Sequence, residues 1–168
     1  MWPLIEHQIE NARLLATVDK GRPRPASLRR AVSTAYYAVF QALCGACADR
    51  LVGWDKPWDL FTPVFRAPDH RGASNTLLQS TLATTTEMHR LALLFRELLD
   101  AREWADYNPE PRPGYDAAKN NSSFTRQETL KLIESAVEAI GIINRLDKES
   151  SLKLAIRLAV RSRRQSNS

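Results

Sequence analysis

Metal and thiol chemistry have little to work with in this sequence. Its 168 residues include only two cysteines and three histidines. His7, His70 and His89 are far apart and share no ligand spacing, so neither a metal nor a cofactor is expected. Cys44 and Cys47, in CGAC, have the spacing of half a zinc site or of a thiol pair. No second pair completes a metal site, and a redox pair would open a helix behind a strand, whereas these fall near a helix end. They read as ordinary half-buried cysteines. The alternation of apolar and polar residues that marks a strand is missing throughout.

A long aliphatic run is missing as well. The longest charge-free stretch, 31–48, reaches spanning length, but Ser33, Thr34, Tyr36, Tyr37, Gln41 and both cysteines interrupt it, which suits a buried helix better than a membrane span. The first residues, MWPLIEHQIE, carry acids where a signal peptide needs a basic region followed by an apolar run. A cytoplasmic protein without membrane association is therefore expected.

What is present describes a folded chain. An apolar content of 43% with 26% charged residues is ordinary for a globular protein with one core. The net charge of +5 is unevenly placed: Lys153, Arg157, Arg161, Arg163 and Arg164 fall within 151–168 without an acid, and removing those five leaves zero. The high pI thus points to a basic tail rather than a basic face. On a helical wheel Lys153, Arg157, Arg161 and Arg164 share one wedge of roughly 80° with apolar residues filling most of the rest. Such a helix suits nucleic acid or an anionic surface, and equally a solvated outer face. The expected organisation is a domain over 1–148, then a basic amphipathic helix with a disordered end over 149–168.

Periodicity places the helices. Ile5, Ile9, Ala12 and Ala16 recur at helical spacing from Pro3 to about Asp19, and KGRPRP at 20–25 breaks the pattern. From a Ser27 cap, the series Leu28, Val32, Ala35, Tyr36, Val39, Phe40 and Leu43 marks the clearest core helix, with Arg29, Arg30, Ser33 and Tyr37 off the centre of its stripe. Residues 52–73, rich in proline and aromatics, read as a long irregular connection. Helical pattern resumes near Ser74, and Thr84 with Glu87 offers a capping box, which leaves 74–107 as one bent helix or two. Leu91, Leu94, Phe95 and Leu98 form the next stripe, and Arg102 continues it. A loop follows from Asn108 to Gly114. Thr125 with Glu128 forms another capping box, behind which Leu130, Ile133, Val137 and Ile140 stripe a helix. An all-α bundle results.

The densest cluster of chemistry is ELLDAREWADYNP, 97–109. Arg102 and Asp106, four apart, form an ion pair worth a few tenths of a kcal/mol (roughly 0.2–0.5) if exposed. Desolvated at the end of an apolar stripe, the guanidinium would instead present a fork of donors suited to phosphate or carboxylate.

Three stretches, LRRAVSTAYYAVFQAL (28–43), DHRGA (69–73) and RELLDAREWADYNP (96–109), resemble the hallmarks of the HEPN domain superfamily, in the branch marked by Ala-Tyr-Tyr-Ala and a later Arg-x-x-Ala-Asp-Tyr. The resemblance spans about residues 5–145. It implies an antiparallel bundle of four to five helices that pairs as a homodimer, a role with RNA or nucleotides, and a nucleotidyltransferase antitoxin as partner. It also implies a binding site lined by Arg102, Asp106 and Tyr107, with Ser33 and Tyr37 from the other motif. Nuclease members of the superfamily use an arginine and a histidine with four to six residues between them. The arginine stabilises phosphorane charge and the histidine moves protons, with no metal.

That pair is absent here. No histidine follows Arg102, and Arg66 precedes His70 by only three intervening residues. Tyr107 stands where the histidine would be, and a phenol is a poor base at neutral pH. A binding module is therefore the leading expectation. A metal-independent ribonuclease toxin using Arg102 with Tyr107 or His70, and a non-catalytic dimeric helical adaptor, are the alternatives.

Overall fold

The computed structural model describes residues 2–79, 85–108 and 124–161, and every regular element among them is helical. There are seven such elements: α1 Pro3–Thr17, α2 Pro25–Leu51, α3 Trp58–Phe65, α4 His70–Leu77, α5 Thr86–Tyr107, α6 Arg126–Arg145 and α7 Lys148–Arg161. The all-α expectation holds. α2 is the centre, touching α1, α3, α5, α6 and α7. It contributes Leu28, Ala31, Val32, Ala35, Tyr36, Ala38, Val39 and Leu43 to a core completed by Ile5 and Ile9, by Leu91, Leu94, Phe95 and Leu98, by Ile133 and Ile140, and by Leu154 and Leu158 of α7. By length and composition α2 would pass as a membrane span, but 67% of that stretch is buried against the other helices.

Helix ends follow from local chemistry. Pro25, not Ser27, opens α2: its missing N–H costs nothing in a first turn, and the Arg24 side chain at the cap makes no bond to the helix's first amides. Ser27 lies inside the helix, and the Asp19 carboxylate serves this end instead, accepting from the Arg24 amide at 3.0 Å and from Arg24 Nε at 2.7 Å. The Arg24 amide and the Ser27 hydroxyl hold the Asp19 pKa below its ordinary value. Gly21, at φ +83°, makes the turn that KGRPRP requires. Arg126, at the start of α6, donates to the Ala16, Asp19 and Gly21 carbonyls and secures this connector. Asp147 caps α7 through the amides of Glu149 and Ser150.

The 52–73 stretch departs from the expected irregular connection. It contains α3, and α4 begins at His70 rather than near Ser74. The aromatics order it: Trp54 lies against Phe61 at 4.5 Å and against Trp2 at 5.6 Å, and Phe61 stacks with Phe65. Asp69 caps α4 by accepting from the Gly72 amide at 2.7 Å, an approach a side chain would block, since a Cβ on Gly72 would sit 2.3 Å from the carboxylate. The described residues within 70–107 form two helices, α4 and α5. Thr84 lies outside the described residues, and Thr85 is the cap of α5, accepting from the Met88 amide. The loop after Asn108 also lies outside them.

Two further expectations change. Val137 is 37% exposed, and Leu132, Ala136, Ala139 and Ile143 take the buried face with Ile133 and Ile140. The stripe drawn on the sequence was rotated by part of a turn. Cys44 and Cys47 are buried, unbonded thiols rather than half-buried ones, and burial pushes Cys47 up to about 12 and Cys44 higher still.

The capping box at α6 is as the spacing predicts: the Thr125 hydroxyl accepts from the Glu128 amide at 3.1 Å and the Glu128 carboxylate accepts from the Thr125 amide at 2.9 Å. Thr125→Ala is expected to lower the unfolding free energy in urea by about 1 kcal/mol, the usual loss for such a cap.

Candidate functional site

The apolar stripe of α5 ends at Arg102, whose surroundings are set by the helix it faces. Tyr36–Phe95, Tyr37–Arg102 and Ser33–Asp106 contacts succeed one another down the two helices, so α2 and α5 run antiparallel and bring the AYYA segment onto the ADY segment. Arg29, one turn before Ser33, fastens the end of α5. It donates to the carbonyl of Ala105 at 2.7 Å, to that of Trp104 at 3.0 Å, which also accepts from the Asn108 amide, and to that of Asn108, adding acceptor partners where the helix ends.

Arg102 is 7% exposed. Its Nη2 donates to the Tyr37 hydroxyl at 2.6 Å and to the Tyr107 hydroxyl at 3.1 Å. The guanidinium also lies over both rings, 5.3 Å from the Tyr37 centroid and 5.0 Å from that of Tyr107. Asp106 Oδ2 comes within 2.8 Å of Nε, yet Nε has no hydrogen-bond partner, so the oxygen sits off the N–H direction and the pair is held by charge. Burial works against the arginine's charge, but the Tyr37 bond and the nearby Asp106 outweigh it and leave the pKa above its ordinary value. The other Asp106 oxygen accepts from the buried Ser33 hydroxyl.

His70 enters from the start of α4. Its ring lies 4.1 Å from Phe40 and 5.8 Å, edge on, from Tyr37, and its Nδ1 shares a 2.8 Å hydrogen bond with the Tyr36 hydroxyl. Burial lowers its pKa from 6.5, and the Arg102 charge lowers it further. The six residues expected at the site, Ser33, Tyr37, His70, Arg102, Asp106 and Tyr107, are therefore one cluster drawn from three helices.

Sequence reasoning missed two members. Tyr36 had been counted as core, and it is fully buried, but burial makes its hydroxyl require a partner, which is His70. That need was the available signal. Arg29 had been left on an unassigned face, and only the approach of α5 reveals its acceptors. The rim carries Arg71, paired with Glu103 at 3.2 Å.

The basic wedge lies elsewhere. On α7, Lys153 pairs with Glu149, and Arg157 reaches Gln79 at 3.5 Å. The Arg161 side chain and all of Arg164 lie outside what the structure describes. Among the described residues no three His, Cys, Asp or Glu side chains group as a metal site.

The sign of one pH effect follows. A folded-state pKa below the ordinary histidine value means the folded chain resists protonation at His70 while the unfolded chain accepts it. The associated stability is present above about pH 6.5 and is lost as the pH falls through the folded pKa. The urea midpoint of the wild type is expected to fall more steeply between about pH 7 and about pH 5 than that of His70→Gln. Parallel curves would show that His70 is not held neutral by the fold.

No family model, characterised protein or solved structure matches the chain.

Proposed function

We propose that the chain is a HEPN-like, RNA- or nucleotide-associated binding module, in which α1, α2, α5 and α6 with α7 form the bundle. It would act as a homodimer in a toxin–antitoxin or defence setting, beside a nucleotidyltransferase partner. One observation carries this reading: a buried guanidinium, steadied by two tyrosine hydroxyls and a carboxylate, sits at a helix end beside a tyrosine ring that is 71% exposed. An exposed aromatic face stacks on a base, and a guanidinium fork suits phosphate oxygens.

Charge favours holding over cutting. Asp106 already balances Arg102, so less positive charge remains for a developing phosphorane than an unpaired arginine would supply. A single-stranded RNA oligomer titrated by calorimetry should bind the wild type. Arg102→Ala should lose that binding while keeping its helical circular dichroism, and unchanged affinity would remove the arginine from the site.

A second reading has its own observation. The separation of His70 from Arg102 in sequence is undone by the fold, which puts an imidazole into the arginine's aromatic surroundings. An arginine to stabilise phosphorane charge and a histidine to move protons are the parts of metal-independent RNA cleavage. That reading expects total RNA to be cleaved in EDTA by the wild type and left intact by His70→Ala and Arg102→Ala. An inert wild-type protein eliminates it.

A further inference from the structure

A cavity of about 440 Å³ opens where the start of α1 meets the later halves of α2 and α6. None of its lining residues belongs to the Arg102 cluster. Its floor is the face of α2 formed by Ala42, Gly45 and Ala46, side chains too small to fill the space above them. Its wall is aromatic: Trp2 and Trp54, tilted 58° to each other, with Trp54 so close to the floor that a Cβ on Gly45 would touch its ring at 3.5 Å. Trp54 is backed by Phe61 and Trp2 by Phe65, which keeps both rings in place without a ligand. The tilted pair leaves no slot between the rings, so a planar ligand would lie against one indole and over the small floor.

The polar rim is spare. Gln41 receives a hydrogen bond from Gln8 at its oxygen, which leaves its amide N–H groups without an acceptor among the described residues. Asn144 lines the opening, and nothing among the described residues occupies its carboxamide. Asp49 spends one oxygen on the Trp54 amide at 3.2 Å. Arg50 lines the cavity and forms no ion pair among the described residues. Gln41 and Arg50 are nine residues apart, about 13 Å along the helix at 1.5 Å per residue. A bare ring cannot reach both. A ring with an anion on a short arm can.

We propose that this cavity is a separate site for a planar nitrogen heterocycle carrying a phosphate, the chemistry of a nucleoside monophosphate. The ring stacks on the tryptophan wall, its edge meets the free amide groups of Gln41 and Asn144, and the phosphate takes the guanidinium of Arg50. The volume fits: ligand cavities run from about 300 to about 1,000 Å³, with apolar walls and a few convergent polar groups. The proposal does not depend on the function assigned to the Arg102 cluster.

Calorimetric titration of the full chain with AMP and with GMP tests it. Saturable binding is expected, with quenching of tryptophan emission. Arg50→Ala, on an exposed position, should weaken binding about tenfold, as the loss of one charge-assisted hydrogen bond would. Ala46→Phe should fill the floor and abolish the binding that quenches tryptophan emission. Absence of binding at millimolar nucleotide overturns the proposal. So does quenching that survives both Arg50→Ala and Ala46→Phe, or that is lost with Arg102→Ala, which would move the nucleotide to the other cluster. A short RNA oligomer that displaces AMP identifies an RNA end as the source, and failure to displace identifies the free nucleotide; the site stands in either case.

Discussion

Helix α2 is buried on several sides at once, and five of the other six helices among the described residues take their positions from it. A helix so enclosed needs small residues where neighbours come close, and Ala31, Ala35, Ala38, Gly45 and Ala48 supply them. Larger side chains at Leu28, Val32, Tyr36, Val39 and Leu43 then fill the spaces between the helices. The polar residues of α2 have correspondingly few places to go. Those near its start meet the end of α5, and those near its end line one cavity with Trp2, Trp54 and Asn144. Both candidate sites are thus consequences of one helix being the common wall.

At the first of them, the governing cost is desolvation. Taking an arginine out of water costs several kcal/mol, roughly, unless charge and hydrogen bonds replace the lost hydration. Asp106, Tyr37 and Tyr107 do so here, and Arg29 keeps the last turn of α5 where Asp106 must stand. The arrangement resembles a support more than an open trap for anions. Tyr107 is left exposed, with its hydroxyl held from beneath by the arginine.

Much of this was legible from residue spacing. The helical period marked α1, α2, α5 and α6, the Thr125 and Glu128 pair marked a start, and the termination of an apolar stripe at Arg102 marked a buried cation. Errors came where local signals compete. Pro25 displaced Ser27 as the start of α2 because Asp19, from the preceding turn, supplies the acceptor that Ser27 had been expected to provide. Residues 52–73 were read as irregular because proline and glycine break the period, yet aromatic packing on Trp2, a contact across half a hundred residues, builds α3 from them. Val137 was misplaced because a stripe of four residues leaves its rotation loose by part of a turn.

By itself the sequence determined the all-α class, the order of the long helices, and the place of Arg102 at the end of a buried stripe, because helical period and capping chemistry act over a few residues and need no partner. Only the tertiary structure decided that His70 joins the Arg102 cluster, that Tyr36 is its hydrogen-bond partner rather than plain core, that Arg29 fastens the end of α5, and that Trp2, Gln41, Arg50, Trp54 and Asn144 enclose a common space. Each of those depends on which faces of separate helices meet. That is fixed by burial of side chains over the whole chain, not by the pattern within any one segment.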